Sequence, residues 1–104
     1  MEAYATLLEA FAAIPEGSGT VLDNCAIFAC SEVSLGQTHS ILNMPLLIGG
    51  SACGALKTDH HYQALGGENT SKVLMSLIKA MDINVASFGA DEGYVTEPLT
   101  SLFT

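Results

Sequence analysis

The chain has 104 residues, one domain by length, with 49% apolar and 13% charged residues and a net charge of −8 set by eleven carboxylates against three lysines and no arginine. That balance repels phosphate backbones and anionic lipid surfaces, so neither nucleic acid nor membrane is an expected partner, and the lack of arginine removes the usual bidentate clamp for phosphate or sulfate esters. Ordinary domains carry about 25% charged residues, and a small domain has the most surface per volume to cover, so the shortage of polar skin predicts a protein partner, either a second subunit or the rest of a longer chain.

Residues 2 to 14 read as a helix, with Tyr4, Leu7, Leu8 and Phe11 at helical spacing and alanines between them. Pro15 stops it, and Glu16-Gly17-Ser18-Gly19 reads as a turn. Residues 25 to 30, CAIFAC, form an apolar run without polar alternation, as expected of a strand covered on both faces in an α/β sheet. The polar, irregular residues 31 to 43 are too few for a strand-to-strand crossover carrying a helix. PLLIG, residues 45 to 49, reads as a second short buried strand, with Pro45 at the first position where no ladder donor is needed. Gly49, Gly50 and Gly54 follow in a flexible turn, residues 55 to 63 suit a short extended piece, and Gly66-Gly67 breaks the chain again.

The next helix has the clearest pattern. Asn69, Thr70 or Ser71 can accept its first free amides. Val73, Leu74, Leu77, Ile78 and Met81 form one apolar stripe. Lys79 suits the negative end of the helix dipole, and Asn84 suits a left-handed terminator. From Val85 to Thr104 there is no period, which predicts a surface wrap anchored by Phe88, Leu99 and Phe103. The order helix, strand, strand, helix, tail defines one α/β domain over residues 1 to 104 that is short of strands, because two strands alone are marginal in water.

Cys25, Cys30 and Cys53 are an odd set with no zinc spacing, and they read as small buried apolar residues. No basic segment leads into an apolar stretch and no apolar run approaches the roughly 20 residues of a membrane helix, so the chain as written is expected to be soluble and to carry no export signal.

Three stretches bear chemistry. GGSACGALKT nearly matches the phosphate-cradling G-x-x-x-x-G-K-[ST], but Ala55 and Leu56 displace Lys57 from its place beside the second glycine, so a tight turn is expected instead. Glu32 follows the first strand, where side chains of α/β sheets line the usual crevice, and with His39 it offers a hard and a borderline ligand for a divalent metal. Two ligands are short of the three or four that zinc takes. Asp59-His60-His61 suits a surface turn, from which one histidine, His60 or His61, joins His39 only if the chain folds back. No serine, threonine or cysteine carries a nucleophile motif such as G-x-S-x-G.

The segments Glu16 to Asn24, Ser31-Glu32, His39, Asn43-Met44-Pro45, Gly49 to Gly54, Leu56-Lys57-Thr58, His61 and INVASFG, in that order, resemble the carboxyl-terminal part of a large uncharacterised bacterial family, domain of unknown function fifteen-fifty-two. Its members share an EGDGTLLDNS-like segment, a GSELxxGxxHxxxNLP-like loop, an LKTGRH-like stretch and a V-x-SFG tail. They are several times longer and often exported, which implies a periplasmic or extracellular place for full-length relatives. The family is similar in turn to alkaline phosphatases and sulfatases, where a strand ends in a D-H-G metal motif and a later loop histidine completes the site. That likeness puts His39 at the late-histidine position, with Ser31-Glu32-Val33 in place of D-H-G, so two usual ligands are absent. What the resemblance implies is a non-catalytic closing portion of a phosphatase- or sulfatase-like α/β protein, self-associating as a homo-oligomer. The alternatives are metal-assisted ester hydrolysis in a full-length parent whose amino-terminal half supplies the nucleophile and remaining ligands, and a module that caps a partner's sheet edge.

Overall fold

A computed structural model describes residues 1–104. Alanines and leucines drive helix α1, Glu2–Ala12, which ends two residues earlier than the periodicity suggests. Pro15 cannot extend it and instead opens a two-residue strand. This strand β1, Pro15–Glu16, pairs antiparallel with β2, Gly19–Thr20. The expected turn is therefore the tip of a minute hairpin. It leads into a one-turn helix α2, Val21–Asn24, that the apolar pattern does not reveal. A capping box makes that turn: Thr20 N–H donates to the Asp23 carboxylate at 2.8 Å, and Asp23 N–H returns to Thr20 Oγ1 at 3.3 Å.

Both apolar runs are strands. β3, Ile27–Cys30, pairs antiparallel with β4, Leu46–Gly49, in the register Ile27↔Gly49 to Cys30↔Leu46. The sheet stops at two strands. β3 is accordingly half-buried rather than covered on both faces, with Cys30 exposed at its end. Helix α1 lies on this hairpin: Tyr4 Oη donates to the Ile27 carbonyl at 2.9 Å, and a Cβ at Gly49 would overlap the Leu8 side chain. Gly49 is thus the close-approach point that lets helix and strand meet.

Helix α3, Ser71–Ala80, forms where the stripe predicts. Of the three candidate caps, Asn69 acts, its Oδ1 accepting from Ser71 N–H at 2.9 Å. Asp82, with φ 60°, takes the left-handed terminal conformation assigned to Asn84. The buried face is also not the expected one. Met75 and Ser76 are fully enclosed, while Val73, Leu74, Leu77 and Ile78 are only half-buried and Met81 is 51% exposed. The tail decides this. Leu99 lies over Ser76, so chain covers the Lys72/Ser76 side of the helix and leaves the greasier side thinly covered.

The tail is a largely exposed wrap held at the expected anchors, with Leu99 buried and Phe88 and Phe103 half-buried in bridges, and it adds to the core as well. Val95 and Leu99 join Ala52, Leu56 and Met75 as the buried apolar residues. Phe88 and Val95 exchange backbone hydrogen bonds of 2.9 Å, and Lys57 N–H donates to Leu102 O at 2.8 Å across a Leu56↔Phe103 bridge. Residues 55 to 63 contribute only that bridge to extended structure.

The molecule is flat and open. It measures 42 × 34 × 21 Å with a radius of gyration of 14.7 Å, against about 12.8 Å for a globule of this length. Its accessible surface is 7165 Å², whereas a monomer of 10.8 kDa should show about 5,500 Å². Only six of 104 residues are buried. No helix is long and apolar enough to cross a membrane.

Candidate functional site

The Glu32–His39 loop is built by its own backbone. Ser34 N–H donates to Ser40 O at 2.7 Å and Ser40 N–H to Leu35 O at 3.2 Å, while Ser34 Oγ adds a bond of 2.9 Å to Ser40 O. This closure puts His39 at φ 51° and leaves both Glu32 and His39 exposed. His61 is exposed too and borders a different feature, the groove described below. No group of three or more His, Cys, Asp or Glu side chains is arranged to hold a metal ion. A metal bound through Glu32 and His39 therefore needs at least one further donor from outside the chain.

The glycine-rich turn spends its amides internally. Ala52 N–H donates to Cys25 O, Cys53 N–H to Asp23 O, Gly54 N–H to Ser51 Oγ, Ala55 N–H to Ala52 O, Leu56 N–H to Ser51 O and Lys57 N–H to Leu102 O, all between 2.8 and 3.2 Å. A phosphate cradle needs such N–H groups free and a helix behind them; here the amides of residues 52–57 are all taken and no helix follows directly. The turn is instead the hub of the fold. Residues 51–53 hold α2 and the start of β3, and residues 54–57 hold the C-terminus, where Thr104 Oγ1 donates to Gly54 O at 2.9 Å.

Beside the hub lies an open polar hollow of about 430 Å³, bordered by Glu16, Asp23, Asn24, Ser51 and Cys53. Its polar atoms serve one another. Asn24 Nδ2 donates to Glu16 Oε2 at 2.7 Å, Ser51 Oγ to Asp23 O at 2.8 Å, and the Cys53 thiol faces Asn24 Oδ1 at 3.6 Å. Cys53 is exposed, against expectation, at the border of this hollow. Cys25 is half-buried, and burial, aided by the Glu16 charge, raises its thiol pKa and keeps it protonated.

The second concavity is an apolar groove of about 440 Å³. β4 contributes Leu46, Leu47 and Ile48, three consecutive residues. Successive strand side chains point to opposite faces, so a groove bordered by all three runs along the strand rather than over one face of the sheet. Leu56, Val73 and Leu99 come from the body around α3, and Lys57, His60 and His61 supply the polar groups. No carboxylate lines the groove. Sequence reading missed this site, yet it left a signal: three of the chain's six lysines and histidines fall within residues 57–61, shortly after PLLIG.

No family model, characterised protein or solved structure matches the chain.

Proposed function

We propose that this chain is a non-catalytic α/β unit that works by association, forming a homo-oligomer, and that it corresponds to the closing portion of a phosphatase- or sulfatase-like protein of the domain-of-unknown-function fifteen-fifty-two kind. One observation carries the reading: an accessible surface of 7165 Å² on a chain whose mass calls for about 5,500 Å². The excess of roughly 1,600 Å² has the scale of an interface, because obligate subunits bury about 1,000–2,500 Å² each. The half-covered stripe of α3 and the two-stranded sheet support it, since both are elements that ordinarily bury a face against another layer.

Sedimentation velocity at tens of micromolar tests the proposal. The expected particle is a multiple of 10.8 kDa. A folded monomer with no association at that concentration overturns it.

A further inference from the structure

We infer that the apolar groove and the free edge of β4 form a two-fold interface with a second copy of this chain, the two β4 strands pairing antiparallel so that the two hairpins join into one four-stranded sheet. This rests on the association proposed above and names the surface that performs it.

The backbone makes the first argument. An antiparallel strand directs half of its peptide groups away from its one partner. β4 pairs only with β3, and the peptide groups of Leu46, Leu47 and Ile48 find no further backbone partner in the fold, while Gly49 lies against Tyr4 Oη. Such an edge is a template for another strand. A strand edge is also self-complementary when a copy is turned by a two-fold axis, which is the commonest closed symmetry.

Charge chooses the face. Two copies that each carry −8 repel over most of their surface. They can meet closely only where carboxylates are absent, and the β4 groove is lined by apolar side chains, Lys57, His60 and His61, with no Asp or Glu. Glu68 does not line the groove, but its carboxylate interacts with Tyr62, which does.

Area closes the argument. Leu47, in mid-strand, is 40% exposed. If both copies cover their excess surface, the dimer buries about 3,200 Å² in total, within the range of permanent dimers. A third body is not needed to complete the sheet, since four strands with a covered apolar face are self-sufficient.

The test combines variants with hydrogen exchange on the intact chain. Leu47→Lys places a like charge on each side of the axis and should weaken the dimer by about tenfold or more, with the far-ultraviolet circular dichroism unchanged. Leu65→Lys, at a residue 94% exposed and outside the groove, should leave sedimentation as it is. In the unsubstituted protein, amides within 46–49 should exchange faster as dilution dissociates the dimer, while those of α3 change little. If the chain associates but Leu47→Lys sediments unchanged, or the 46–49 amides ignore dilution, this interface is wrong and the association stands. If the unsubstituted chain is monomeric throughout, both fail.

Discussion

Removing one hydroxyl at Ser76 tests whether the tail is pinned to α3. Ser76 Oγ donates to Lys72 O at 2.7 Å and accepts from Leu99 N–H at 2.9 Å, in a fully buried position. Ser76→Ala leaves the Leu99 amide with only a 3.4 Å contact to Lys72 O. Stranding a buried donor costs about 1–3 kcal/mol, and the better helix propensity of alanine returns roughly half a kcal/mol. The net expectation is a loss of about 1–2 kcal/mol, or roughly 5–15 °C in Tm for a domain of this size. Urea unfolding at constant protein concentration measures it, and hydrogen exchange locates it: the Leu99 amide should exchange faster while β3 amides hold. Ser101→Ala is the matched control, because Ser101 Oγ is buried without any partner and its removal should be neutral or stabilising. A cost below about 0.5 kcal/mol for Ser76→Ala, with unchanged exchange at Leu99, would refute the claim that this bond pins the tail to α3.

Gly50 has φ +92°, and a Cβ there would collide with the carbonyls of Cys25 and, at 2.6 Å, Leu22. Gly50→Ala should cost on the order of 3 kcal/mol or more, enough to unfold a marginal domain, whereas Gly36→Ala, with open space around it, should stay within about 0.5 kcal/mol; thermal melts of the two variants decide it. Burial raises the pKa of Tyr4 above 10.0 and, with help from Glu16, that of Cys25 above 9.0. Both groups are neutral when protonated, so their contribution is complete below those ordinary values and is lost as pH rises through the raised ones. Urea midpoints should hold up to about pH 9 and fall by pH 11. Cys25→Ala should flatten the lower part of that fall, and an identical slope in the variant would count against the thiol.

Local pattern was enough for α1, α3 and the two strands, since Leu7, Leu8 and Phe11 or CAIFAC and PLLIG carry their period in a few neighbouring residues. It failed where a few polar bonds make the structure. Helix α2 exists because Thr20 and Asp23 cap each other, and four residues leave no period to detect. Asparagine tolerates φ > 0, which points to Asn84 as the terminator, but Asp82 shares that tolerance and comes first. At the site, Glu32 and His39 were found as residue types at a plausible spacing, while their exposure, and the separate placement of His61, depend on how the loops close.

Composition by itself determined that the chain is short of charged surface for its size, with 13% charged residues where ordinary domains carry about 25%. It also determined helix and strand identity, which are properties of short windows. Only tertiary structure decided that the glycine-rich turn is the hub rather than a ligand cradle, that the aperiodic tail supplies Val95 and Leu99 to the core, and that β4 keeps an open edge. Those outcomes come from pairings between residues tens of positions apart, such as Ser51 with Asp23 and Leu99 with Ser76, and no local preference encodes which distant amide a carbonyl will meet.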